Sequence, residues 1–134
     1  MSYYYATIIT GDFEAAVEKV SAELQKEGFG VLANIDIQGA LKKKLGVDFR
    51  KYRILGACNP PFAIQALDAE DKIGTMLPCN VVIQETNDGK IEVAAVNPVQ
   101  SMIGVGNDEL LKIAEQIGKK LQKVIRALAT TKTQ

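Results

Sequence analysis

The sequence predicts an α+β fold in which long helices lie against one face of a sheet that is at least partly antiparallel. Three observations predict it. One stretch near the start and one at the end repeat apolar residues at helical spacing. Between them lie short β-branched and aromatic runs bounded by Gly, Pro and Asn. Two of these runs are separated by Asn87-Asp88-Gly89, a strong hairpin signal. The 134 residues suit one domain, and no linker, repeat or low-complexity stretch divides 1–134.

Tyr3 to Ile9 is the first strand, aromatic and β-branched without a breaker. Thr10-Gly11-Asp12 offers a turn and a cap. Phe13, Ala16, Val17, Val20 and Leu24 then share one helix face, with Glu14, Glu18, Glu23 and Lys26 on the other. Gly28 supplies the stop. Phe29, Val31, Ala33, Ile35 and Ile37 alternate with Gly30, Leu32, Asn34 and Asp36, which predicts a strand with one well-buried face. Gly39 and Gly46 bracket a short helix or helical turn over 40–45. Arg50 to Cys58 is the third strand. Asn59 follows as the expected N-cap of a short helix, with Pro60 as its first residue. The Asn59 side-chain oxygen should then accept a backbone N–H of the first turn.

Residues 72–78 read as a loop. Cys79 to Glu85 and Ile91 to Val96 form the arms of the hairpin, with Val81 and Ile83 on the face of Cys79. Asn97-Pro98 breaks the second arm, and a short irregular or helical piece follows over 99–103. Asn107 caps the last helix, along which Leu110, Ala114, Ile117, Leu121, Val124 and Leu128 recur by fours and threes. That seam fits a short coiled coil or, in preference, packing on the chain's own sheet. Residues 130–134 read as a frayed tail.

Composition removes several functions. Sixteen basic residues balance sixteen acidic ones, so the zero net charge counts against a globally basic nucleic-acid binder. A hydrophobic content of 47% is too high for a disordered chain. There is no His, which removes imidazole bases, Ser-His-Asp and Cys-His arrangements, and most zinc sites. Two Cys are too few for a disulfide scaffold. Met1-Ser2-Tyr3-Tyr4-Tyr5 lacks the pattern of a signal peptide, and no run approaches the ~18 apolar residues of a membrane helix. A soluble, cytoplasmic protein with reduced thiols and no membrane partner is expected.

A longer series of motifs is more specific. Glu27-Gly28-Phe29-Gly30-Val31-Leu32 joins the first helix to the second strand, and Ile35-Asp36-Ile37 and Leu45-Gly46-Val47-Asp48-Phe49 follow. Ile54-Leu55-Gly56-Ala57-Cys58-Asn59-Pro60-Pro61 and Leu77-Pro78-Cys79-Asn80-Val81 complete it. Together they resemble the domain-of-unknown-function 302 family of small bacterial and archaeal proteins over nearly the whole chain. The resemblance implies a single, mostly antiparallel sheet with two long helices on one face. The arrangement would be TATA-binding-protein-like, β-α-β(4)-α with short inserted helices. It also implies a homodimer. It carries no activity and no catalytic residue.

Cys58, Asn59, Cys79 and Asn80 are the candidate ligand-binding residues. The cysteines stand 21 residues apart, too far for a Cys-x-x-Cys motif. One ends a strand and the other begins the next, so antiparallel pairing would bring them to one sheet end. The positive end of the following helix would lower a Cys58 thiol pKa. Two thiolates suit a soft ion such as Cu(I), and two thiols suit redox chemistry. Two small buried side chains at a tight turn account for the same residues. Asn59 and Asn80 would share a polar pocket there.

Other clusters point less far. Asp36, Asp48, Glu85 and Asp88 show no spacing that marks an acid pair, and surface or cap roles suffice. Lys42, Lys43, Lys44, Arg50, Lys51 and Arg53 lie near Tyr52, but one basic segment of a neutral chain also fits a solvated face. Gly104-Val105-Gly106 lacks the context of a dinucleotide fingerprint. The expected function is a homodimeric binding protein for a small ligand or a soft metal ion at the Cys-Asn motifs. The alternatives are a thiol-dependent enzyme or redox protein using Cys58 and Cys79, and a protein or nucleic-acid interaction module. Nucleic acid is the least expected partner.

Overall fold

A computed structural model describes residues 2–131. Five strands form one sheet: β1 (Tyr4–Ile9), β2 (Gly30–Asp36), β3 (Tyr52–Cys58), β4 (Cys79–Glu85) and β5 (Ile91–Val96). Their order is β1-β5-β4-β3-β2, and every neighbouring pair is antiparallel. The helices are α1 (Phe13–Lys26), α2 (Ile37–Leu45), α3 (Pro60–Ala69), α4 (Pro98–Met102) and α5 (Asp108–Thr131). The class is α+β, with the long helices on one sheet face, as the sequence predicts.

Strand alternation divides the sheet into two unlike faces. Residues paired across strands share a face, so Tyr5, Ala95, Val81 and Leu55 form one row toward the helices. Thr7, Val93, Ile83 and Arg53 form the next. α1 buries Phe13, Ala16, Val17, Val20 and Leu24 against this face. α5 buries Leu110, Ala114, Ile117, Leu121, Val124 and Leu128, the full seam read from the sequence. Each such large apolar side chain contributes about 1.5–3 kcal/mol on leaving water. The other face carries the row Ala6, Ala94, Val82, Ile54 and Ile35, which runs across all five strands.

Short polar side chains begin most helices. The Asp12 carboxylate accepts from Ala15 N–H, and that of Asp36 accepts from Gly39 N–H. Asn97 and Asn107 accept from Val99 and Leu110 N–H. Each cap satisfies a first-turn donor that has no partner within the helix.

Three expectations need correction. β2 is an edge strand, not a strand with one well-buried face. Only Ala33 within it is half-buried, Val31 and Ile35 are exposed, and Phe29 is buried just before it starts. A register shift between Val31 and Ala33 also interrupts the alternation. Ile37 belongs to α2, which begins earlier than residue 40 because Asp36 caps it. Residues 71–76 are a 3-10 helix rather than loop. At the C-terminus α5 runs to Thr131, and the rest of the expected tail, 132–134, lies outside the described residues.

Candidate ligand-binding site

β3 ends at Cys58 and β4 begins at Cys79. Ala57 is opposite Cys79 in the antiparallel register, so Cys58 lies one position past the residue that faces Cys79. Both cysteines are therefore at one sheet end, and both are free thiols. Cys79 is buried and Cys58 half-buried.

A cavity of about 310 Å³ opens at this end of the sheet. Ala57, Cys58 and Cys79 come to it from the sheet, and Phe29 and Leu32 from the β2 side. Ala63, Ala66 and Leu67 come from α3, and Ile117 from α5. Asn59, Gly74, Leu77 and Pro78 complete the lining. No charged side chain lines it. Leu32 and Leu67 are exposed although they line the cavity, so it reaches solvent beside them. The small α3 residues leave the space. Ala63 and Ala66 face a region that larger side chains would fill.

Burial pushes the Cys79 thiol up to about 11, and the neighbouring Cys58 adds to the shift. At pH 7 Cys79 is therefore held as the neutral thiol. Desolvation dominates because a thiolate loses far more than a thiol on leaving water.

Asn59 departs from its expected role. It occupies the N-cap position of α3, but its side chain makes no capping hydrogen bond. The reason lies in the next two residues. Pro60 and Pro61 have no N–H to offer. The first available donors, Phe62 and Ala63 N–H, go to the Asn59 main-chain oxygen at 3.1 and 2.9 Å. The side chain is left for another partner, and its amide nitrogen donates to the Glu27 carbonyl at 3.1 Å. Gly28 makes room for this bond. Its φ is +89°, and a Cβ there would stand 3.2 Å from the Asn59 Nδ2.

Asn80 does not join the cavity. It follows Cys79 on a strand, so alternation turns it to the opposite sheet face, where it is exposed. There it borders a shallow depression with Tyr4, Tyr52, Val82 and Glu92. The structure thus brings Cys58, Asn59 and Cys79 together and sets Asn80 apart. The shared polar pocket expected for the two asparagines is absent for that reason.

The remaining candidates are engaged elsewhere. Asp36 caps α2, and Asp48 accepts from Lys42 at 2.9 Å. A hydrogen bond from Thr86, with smaller help from Lys90, holds the Asp88 carboxyl below the usual range. Among the described residues no group of three or more His, Cys, Asp or Glu is placed to hold a metal ion. The basic segment is dispersed. Arg53 pairs with Glu14 at 2.6 Å, and the Arg50 guanidinium lies 4.4 Å from the Phe49 ring centroid. No helix among the described residues is long and apolar enough to cross a membrane.

Phe29, Ala63, Ala66, Leu67 and Ile117 were not legible as site residues. In sequence each reads as ordinary helix or strand core, and the space they leave has no signature of its own.

A family model described as a domain of unknown function, DUF302, matches residues 5–128. The crystal structure of an uncharacterized conserved protein DUF302 from Bacillus stearothermophilus is similar, with a TM-score of 0.89 and 27% sequence identity. The match covers 96% of this chain and 99% of that one. No curated protein matches the chain.

Proposed function

The chain belongs to the DUF302 family, whose description names no activity, and from the geometry of its cavity we propose that it is a small-ligand binding protein. The site is the apolar cavity at the Cys58 and Cys79 end of the sheet. One observation carries the reading: a space of about 310 Å³ lined by side chains from both long-range partners, sheet and helix, and open to solvent at one side. That volume is at the small end of ligand pockets, which run from about 300 Å³ upward.

The lining favours a molecule over an ion. Only two thiols are on hand as soft donors, and burial keeps Cys79 protonated at neutral pH. The same protonation counts against a thiol-dependent enzyme built on Cys79, because the thiolate is the nucleophile. The pairing of Arg53 with Glu14 and of Lys42 with Asp48 counts against a nucleic-acid surface at the basic segment. A homodimer belongs to the reading, formed through the sheet face that carries Ala6, Ala94, Val82, Ile54 and Ile35. A reducing, cytoplasmic setting suits its two free thiols.

The test is a fluorescence titration with the neutral apolar dye N-phenyl-1-naphthylamine. The wild-type chain should give a saturable rise with a blue shift. Ala63→Phe, which fills the cavity from α3, should abolish it while the thermal melt persists. Equal saturable binding to both chains would place the dye elsewhere and overturn the reading.

A further inference from the structure

We propose that the ligand of this cavity is a neutral, mainly apolar molecule carrying one hydrogen-bond donor, an N–H or O–H group received by the side-chain oxygen of Asn59. The inference rests on the cavity being a binding site and names the chemistry it takes.

Asn59 lines the cavity and is only 7% exposed. Its amide orientation is fixed by its partner. The Glu27 carbonyl can only accept, so the nitrogen must face it. The side-chain oxygen is left over, and no hydrogen bond reaches it from the described residues. In most N-cap asparagines that oxygen serves the first turn of the helix. Here two prolines and the Asn59 main-chain oxygen leave no backbone donor to compete for it. The oxygen is not sealed from solvent, so it is an open acceptor on a side chain that is itself only 7% exposed. A ligand donor would complete it.

The same features exclude a charge on the ligand. The N-terminus of α3 is a poor anion site, because its first two residues lack N–H groups and the next two N–H groups are taken. No Lys, Arg, Asp or Glu lines the cavity. A charged group buried there would have no counter-charge. The rest of the lining is aliphatic or aromatic apart from the two sulfurs, which matches an apolar body.

The experiment compares indole with indene, which share one bicyclic frame but differ in that only indole has an N–H. Affinities for both are measured by calorimetry on the full chain and on Asn59→Ala. The indole preference of the wild type should fall about tenfold in the variant, the effect of one neutral hydrogen bond. Indole, but not indene, should also shift the Asn59 side-chain carbonyl resonance of the wild type, a readout that needs no variant to fold. An unchanged preference in Asn59→Ala, or equal shifts by both probes, overturns the donor and leaves the cavity reading intact. Tighter binding of indole-3-carboxylate than of indole overturns the neutral ligand. If neither probe nor the naphthylamine dye binds, the underlying site reading fails, and this inference with it.

Discussion

Asn59 joins the turn after β3 to the end of α1, 32 residues away in sequence, through one hydrogen bond. Glu27 is the C-cap of α1, and its carbonyl has no partner within the helix. Asn59→Ala removes its donor and is expected to cost about 1–3 kcal/mol. Asn59→Asp is the more telling variant. A capping residue would tolerate Asp. Here Asp cannot donate, and its carboxylate would confront a carbonyl. At pH 7 it should melt below Asn59→Ala. The acid would be easier to protonate folded than unfolded, so its folded pKa lies above the unfolded value of about 3.9. Stability of that kind is present below the unfolded pKa and is lost as pH rises through the folded one. The deficit of Asn59→Asp should therefore shrink as melts move from pH 7 toward pH ~4. Equal melts of Asn59→Asp and wild type at pH 7 would restore the capping role. Cys79 obeys the same sign rule. Its folded pKa of about 11 lies above the ~8.5 of an unfolded thiol, so its contribution holds below ~8.5 and is lost as pH rises through about 11. Cys79→Ala should flatten the alkaline fall of the melting temperature over that window. Parallel falls in both chains would show a thiol that is not desolvated.

At the level of elements, what the sequence revealed followed from periodicity. α1 and α5 were legible because a helix on a sheet must repeat its apolar residues, and every position of the Leu110 to Leu128 seam is buried. β4 and β5 were legible from alternation and the Gly89 turn. β2 was misread for a physical reason. Alternation marks two faces but does not tell whether either is covered, and an edge strand beside an open face leaves Ile35 in water. The 3-10 helix over Asp71–Met76 has no side-chain period to find. The candidate site was half legible. The Cys58 and Cys79 juxtaposition follows from two strand ends, whereas the cavity depends on the smallness of Ala63 and Ala66. Gly56 shows how tightly the β3 and β4 ends are fitted. A Cβ there would stand 2.7 Å from Pro78 Cγ and 3.3 Å from Ala33 Cβ. Neither the Pro78 ring nor the backbone of the adjacent strand gives way freely. Gly56→Ala is expected to cost about 1–3 kcal/mol in chemical denaturation, the usual result of overpacking. A variant as stable as wild type would mean that this end of the sheet relaxes readily.

For the whole molecule, the uncovered sheet face is the feature that a single chain leaves unexplained. Its central row, Ile35, Ile54, Val82, Ala94 and Ala6, spans five strands, roughly 20 Å at the spacing of a sheet. Tyr4 and Ile8 stand beside it and are exposed. Contiguous apolar surface of this kind marks interaction sites on soluble proteins. Two of the polar residues on the face, Gln84 and Glu92, are already partnered, whereas Asn80 stands exposed on it. Arg50 Nε donates to Gln84 Oε1 at 2.8 Å, and Gln84 Nε2 donates to Glu92 Oε1 at 3.0 Å. A second copy could cover Gln84 and Glu92 with these hydrogen bonds in place. In a two-fold dimer each residue meets the same patch of its partner, so one substitution acts on both sides. Val82 lies at the middle of the row. Val82→Glu would set two carboxylates against one another inside a buried interface, a costly arrangement. Light scattering at micromolar concentration should report twice the 14.5 kDa chain mass for wild type and the single mass for Val82→Glu. Gln65→Glu, on exposed α3, adds the same charge away from the face and should remain dimeric. The interface lost should amount to about 1,200 Å² or more in total, the least that stable pairs bury. A monomeric wild type, or a dimeric Val82→Glu, would refute pairing through this face.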